Sequence, residues 1–467
     1  MTASVHNQPQ DTVAPSRSRR ALVAGSVGNF IEWYEFGVYG YFATVIAANF
    51  FTPEGGSDVE ALIKTYASFA LAFFFRPVGA ALFGRLGDRI GRRPTLVLVI
   101  LLMTGATTLI GLLPTYATLG AAAPWLLTLL RVVQGLSAGG EFGGAVSIMT
   151  EFAPPGKRGL YGAWQSFTVA LGLLGGAGVA ALLTLLLTQA DLDSWGWRLP
   201  FLLTLPMGLA ALWLRLRIEE TPAFTRTHGE PGEAPDRLHR PDHPDRQEQP
   251  GRGPRLEVPV SGPAVAPGPG ELARAIALGA GRLMGWSAAG YTFLVVLPTY
   301  LQSTLNASFR QALLATVLAN LGFALAILPA GALSDRIGRR PVMTAGAALV
   351  VALAFPLLNL LQDPAAPTTA KGLAVLAAGA VVGLMAGPGP AMLAEMFPTR
   401  VRCTGLGLSY ALSNAVFSGC AGLIITELVK RTGDADIPAY YVAVTCAISV
   451  AALLTLRGDD HRRSLRD

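Results

Sequence analysis

An eleven-residue charged phrase occurs twice in this chain. Residues 84–94 read GRLGDRIGRRP and residues 331–341 read GALSDRIGRRP. Each copy lies in a short basic gap between long apolar runs. Recurrence of such a phrase in the second half implies two homologous halves in one polypeptide. The flanking runs are long enough to span a bilayer, which takes roughly 20 apolar residues each. Composition agrees. Of 467 residues, 52% are hydrophobic and 14% charged, with a mean hydropathy of +0.46, where a soluble protein carries about a quarter charged residues.

Twelve spans are expected, at 21–47, 61–84, 94–114, 122–149, 159–188, 197–217, 272–299, 309–332, 341–361, 371–395, 401–428 and 438–456. The runs are too long for strands and lack the in/out alternation of a barrel. The expected fold is an all-α membrane protein, with twelve transmembrane helices in two pseudo-symmetric six-helix halves. The expected domains are a tail at 1–20, a half at 21–217, a linker at 218–270, a half at 271–456 and a tail at 457–467. Lys and Arg cluster in alternate loops: Arg85, Arg89, Arg92 and Arg93, then Lys157 and Arg158, then the linker, then Arg336, Arg339, Arg340, Arg400 and Arg402. The positive-inside rule puts those loops, and both termini, in the cytoplasm. The net charge of +6 is thus a mark of topology, and no nucleic-acid partner is expected. No cleaved signal peptide is expected either. The linker is dense in Pro, Gly and charge, so its histidines (His228, His239, His243) read as solvated residues and no metal is expected. Cys403, Cys420 and Cys446 fall in apolar runs and read as small buried hydrophobes.

Further stretches carry a resemblance. The first span reads GNFIEWYEFGVYGYFA. The fourth reads RVVQGLSAGGEFGGA and leads into EFAPPGKRGLYGAWQ. The sixth begins WGWRLPF and ends in LRIEETPAF, the tenth ends AEMFPTRVR, and the eleventh runs GLGLSYALSNAVFSG. With the doubled phrase, these resemble the metabolite:proton symporters of the major facilitator superfamily, a group that includes proline/betaine, α-ketoglutarate, citrate and shikimate permeases. The likeness covers nearly all of residues 21–456. One position departs: Glu35 stands where the first-span motif usually has Asp. The fifth span, LGLLGGAGVAALL, lacks the Gly-Pro pair of drug–proton antiporters.

Charges deep in a bilayer cost about 2.5–3.5 kcal/mol each on insertion scales, so each needs a reason. Glu32 and Glu35 share one helix face and lie roughly 15–20 Å into the first span. Two carboxylates out of bulk water suit proton coupling; the competing reading is a permanent ion pair. Arg76, in the second span, is the natural partner of either one, and its fork also matches a substrate carboxylate. Arg282 is a second buried cation, in the seventh span. It either faces the cavity or snorkels to the cytoplasm. Tyr39, Trp286 and Tyr291 are candidate cavity aromatics, with plain packing as the alternative. Arg131, Gln134 and Glu141 form a polar cluster on the fourth span, where Glu141 is either structural, paired with a basic residue of the gate, or a proton relay.

The doubled phrase is expected to form a cytoplasmic gate of Asp88, Arg89, Arg92, Lys157, Arg158, Asp335, Arg336, Arg400 and Arg402. By the resemblance, Asp88 would pair with Arg400 or Arg402, and Asp335 with Lys157 or Arg158. The protein is expected to be a monomeric proton-coupled symporter of a bacterial inner membrane. It would import a small organic carboxylate such as α-ketoglutarate or a citrate-like acid, with the proton as coupling ion and no cofactor. A zwitterionic osmolyte such as proline or betaine is the alternative substrate. A membrane solute sensor is the rival of another class. A membrane enzyme is not expected, since no nucleophile–base pair or metal cluster stands out.

Overall fold

A computed structural model describes residues 15–52, 58–217, 268–456 and 465. The expected linker up to residue 267, its three histidines, the N-terminal tail up to residue 14 and residues 457–464 lie outside the described residues. Among the described residues every regular element is helical. The first half comprises α1 (Pro15–Tyr41), α2 (Asp58–Ile90), α3 (Arg92–Leu112), α4 (Ala122–Glu151), α5 (Arg158–Leu186) and α6 (Thr204–Leu216). The second half comprises α7 (Pro269–Tyr291), α8 (Phe309–Ile337), α9 (Arg339–Gln362), α10 (Thr368–Ala386), α11 (Arg402–Ser413) and α12 (Ile437–Leu454). Several run on: α7 through a π-helical turn, Thr292–Val296, into Leu297–Ser303; α10 into Gly389–Met396; α11 through a π-helical turn, Asn414–Ser418, into Ala421–Thr432.

Nine of the described helices are long and apolar enough to cross a membrane by length and composition. Absent from those nine are α1, α4 and α7, the helices carrying Glu32, Glu35, Arg131, Glu141 and Arg282. Charged side chains within these three helices lower their apolarity, and such residues are tolerated in a span where they face the bundle interior.

The repeated phrase turns the chain twice. Gly91 and Gly338 take φ of 106° and 100°, a region essentially reserved for glycine. One residue thereby ends α2 and starts α3, and its counterpart ends α8 and starts α9. Within each half the equivalent helices pack alike: α2 on α4 as α8 on α10, and α3 on α6 as α9 on α12. The halves meet along α2 with α11 and along α5 with α8, which are exchanged by the same pseudo-twofold relation. Small residues make the helix contacts close. Gly139 of α4 lies against the Arg76 carbonyl of α2, and Gly379 of α10 against the Ala319 carbonyl of α8. Outward leucines such as Leu82, Leu129, Leu185 and Leu325 are exposed, as lipid-facing positions should be.

Candidate functional site

Charged side chains from α1, α2 and α4 meet in the core of the first half. Arg76 Nη2 lies 3.0 Å from Glu32 Oε1, with both side chains almost wholly buried. The guanidinium also lies over three rings, with its Cζ 4.3 Å from the centre of Phe73, 4.4 Å from Phe36 and 5.6 Å from Trp33. Its remaining nitrogens have no hydrogen-bond partner among the described residues. The cation is thus held by one carboxylate and by ring faces, an arrangement that leaves its fork free to take a second carboxylate.

Glu35 occupies separate surroundings. Thr107 Oγ1 donates to Glu35 Oε2 at 2.5 Å, Gln134 Nε2 donates to Thr107 Oγ1 at 2.5 Å, and Arg131 Nη1 donates to Gln134 Oε1 at 2.7 Å. Arg131 is stacked on Tyr39, with Cζ 3.8 Å from the ring centre, and the Tyr39 hydroxyl bonds Ser68 at 2.7 Å. Tyr39 therefore belongs to the surroundings of Arg131 and not to the cavity wall. Glu141 forms a buried ion pair with Arg215 of α6, which also donates to the Leu96 carbonyl at 2.5 Å. The pairing expected between Glu141 and a gate residue is replaced by this contact within the half.

A cavity lies between the halves, lined by Trp33, Val169, Leu173, Trp286, Ser287, Gly290, Tyr291, Leu294, Val295, Phe323, Tyr410 and Asn414. Trp286 and Tyr291 line it, as expected. Arg282 does not: its Nη2 donates to Thr455 Oγ1 at 2.9 Å, Nη1 lies 3.2 Å from Met396 Sδ, and Nε reaches the Ala452 carbonyl at 3.5 Å. The long side chain runs toward the end of α12, where carbonyls left unpaired at a helix C-terminus attract a cation. The expectation of two cations facing one cavity is corrected on this point.

The end of the molecule bearing the repeats is closed by two equivalent networks. Asp88 Oδ1 accepts from the Cys403 backbone N–H at 3.2 Å, and Oδ2 accepts from the Thr404 N–H at 3.0 Å and from Thr404 Oγ1 at 2.6 Å. Asp335 accepts from the N–H groups of Gly159 and Leu160 at 2.7 and 2.9 Å. Each aspartate thus caps the first turn of a helix in the opposite half, α11 or α5, where exposed N–H groups favour an anion. This corrects the expected partners: Arg400 and Lys157 are exposed, as are Arg89 and Arg336. Arg402 and Arg158 instead engage glutamates across the halves. Glu151 accepts from Arg92 at 2.7 Å and from Arg402 at 2.8 Å. Glu395 accepts from Arg339 at 3.0 Å and lies 3.6 Å from Arg158.

Sequence reasoning missed Arg215, Glu151 and Glu395. For the glutamates a signal existed. EFAPPGKR and EMFPTRVR both read Glu, Pro three residues on, and Arg seven on, a second repeat that the first one masked. For Arg215 no signal exists in spacing, because it sits in the last turn of α6 beside other arginines.

The profile of the Sugar (and other) transporter family matches residues 21–456. The chain belongs to this family. It is a multi-pass membrane transporter of the major facilitator superfamily, not an enzyme. It is 34% identical to the ectoine/proline transporter of Corynebacterium glutamicum, over 96% of this chain and 87% of that protein. It is 34% identical to the glycine betaine/proline/ectoine/pipecolic acid transporter of Dickeya dadantii (94% and 82% covered), and 34% identical to the citrate-proton symporter of Salmonella typhi (96% and 97% covered). The transporter superposes on the proton:xylose symporter bound to 6-bromo-6-deoxy-D-glucose with a TM-score of 0.74 at 18% identity, covering 94% and 95% of the two chains. The inward-open xylose transporter from E. coli gives 0.63 at 18% identity, covering 92% and 94%.

Proposed function

We propose that the protein is a proton-coupled symporter that imports a small zwitterionic solute of the proline or betaine kind, through a site between its two halves. The observation that carries this reading is the Arg76–Glu32 pair beside an otherwise uncharged cavity. Arg76 lies within 5.6 Å of the Trp33 ring, which lines the cavity. One cation matches one carboxylate. With Arg282 turned away, a second carboxylate would meet only rings and neutral side chains, and burying it unpaired is costly. Relatives named for proline, betaine and ectoine transport support the same choice.

Coupling follows from competition. A substrate carboxylate that takes the Arg76 fork displaces Glu32, and a displaced buried carboxylate is accommodated by taking a proton. Substrate and proton then load together. The positions of Lys and Arg support a cytoplasmic assignment for the repeat-bearing end and the termini, in a bacterial inner membrane. The unit of function is the monomer and the proton is the coupling ion.

Counterflow in proteoliposomes tests the reading. Labelled proline or betaine should exchange against internal solute, and a pH gradient, acid outside, should drive accumulation. Exchange of citrate without exchange of any zwitterion would instead establish the organic-acid reading, which the 34% identity to a citrate-proton symporter keeps open. Saturable binding with no counterflow would mean a solute sensor.

A further inference from the structure

We infer that the aromatic wall of the central cavity is a subsite for a fully alkylated ammonium group, so that the transporter favours zwitterions whose cationic nitrogen bears no N–H. This rests on the zwitterion reading above and sharpens it. Five rings line the cavity, and besides Phe323 of α8 they are Trp33 of α1, Trp286 and Tyr291 of α7, and Tyr410 of α11, which form the wall. They stand as two tilted pairs. Trp33 and Tyr291 have ring centres 6.1 Å apart at 56°, and Trp286 and Tyr410 lie 5.7 Å apart at 49°. Tilted pairs present faces to the space between them, and a cation is attracted to such faces.

The rings are fixed in place. Phe142 backs Tyr410 in a parallel stack at 3.6 Å. Gly389 seats the Trp286 ring so closely that a Cβ there would lie 2.9 Å from it. Rings already held in position lose little freedom when a ligand arrives.

What the wall lacks matters equally. Among the described residues lining it there is no Asp or Glu, and the side chains of Ser287 and Asn414 are engaged. Ser287 bonds Ser413 at 2.9 Å. Asn414 donates to the Tyr410 carbonyl at 3.0 Å and accepts from Ser418 at 2.9 Å. An ammonium with N–H groups surrenders hydrogen bonds to water on entering and recovers few here, which is unfavourable. A quaternary nitrogen has none to surrender. With its carboxylate one methylene away on Arg76, the methylated head falls among the rings.

The test is a ligand series on the purified full chain in detergent or nanodiscs. Glycine, sarcosine, N,N-dimethylglycine and glycine betaine should bind progressively more tightly, with the last step worth roughly tenfold. The isostere 3,3-dimethylbutanoate, which matches betaine in shape and keeps its carboxylate but replaces the cationic nitrogen by carbon, should bind roughly tenfold more weakly than betaine, which separates ring attraction from fit. Trp286→Leu should flatten the series and Trp286→Tyr should keep it. The series on the unaltered protein decides the matter even if Trp286→Leu does not fold. A flat series alongside proton-driven proline uptake overturns the subsite and leaves the zwitterion reading intact. Equal binding of betaine and its isostere likewise overturns it. Exchange of citrate with no zwitterion binding overturns both.

Discussion

Arg76, Arg131 and Arg215 are among the largest fully buried side chains, and each is answered differently. Arg76 has a carboxylate and three rings, Arg131 an amide and the Tyr39 face, and Arg215 a carboxylate and a carbonyl. A planar fork serves all three settings, whereas a lysine ammonium serves none of the ring faces as well. Arg76→Lys should therefore weaken every carboxylate-bearing substrate by roughly tenfold or more; wild-type affinity in a binding titration would remove Arg76 from the site. Glu32→Gln should still exchange solute but lose accumulation driven by pH, and full accumulation would move coupling elsewhere. The Arg215–Glu141 pair depends on an absence. Arg215 passes the position a Gly28 side chain would fill. Gly28→Ala should force the guanidinium off Glu141 and cost about 3 kcal/mol, the scale of a broken buried pair. An unaltered melting temperature in detergent would show that the guanidinium has room to shift.

Helix ends carry the closure of the repeat-bearing face. Asp88 and Asp335 each accept two backbone N–H bonds from the first turn of α11 or α5. An asparagine offers one acceptor and turns an amino group toward the other N–H. Losing one charge-assisted bond is worth about 1.5–3 kcal/mol, enough to raise the open population roughly tenfold. A native reporter lies at this contact: Cys403 is buried against Ser147 in the closed face. With Cys420 and Cys446 replaced by Ala, Asp88→Asn should speed maleimide labelling of Cys403 by roughly tenfold. Unchanged labelling would reduce the capping contact to passive packing.

Across the whole molecule the two halves are latched reciprocally: the Glu of one half meets the Arg of the other at both Glu151–Arg402 and Glu395–Arg158. Toward the opposite end the Tyr66 hydroxyl bonds Thr299 Oγ1 at 3.0 Å across the halves. Alternating access requires one set to break while the other holds. Tyr66→Phe removes about 1 kcal/mol from the far closure, so labelling of Cys403 should slow by up to about fivefold. Faster labelling would mean the two closures are not opposed. Helices, halves and membrane embedding were legible from the chain because they rest on local apolar length and on a phrase that recurs intact. The turn glycines at 91 and 338 lie within that phrase, and the backbone angle each supplies is a local demand. Pairing between helices is not local. No spacing rule says that Asp88 meets backbone N–H groups of α11 rather than Arg400, that Arg282 bends toward Thr455, or that Arg215 reaches Glu141 past Gly28. The chain alone marks Glu32, Glu35, Arg76, Arg131, Glu141 and Arg282 for burial, because each stands inside a long apolar run, whereas the burial of Arg215, Glu151 and Glu395 near helix ends comes from packing. Which partner neutralises each of them is set by how the helices pack, because a buried charge accepts any partner that packing brings within reach.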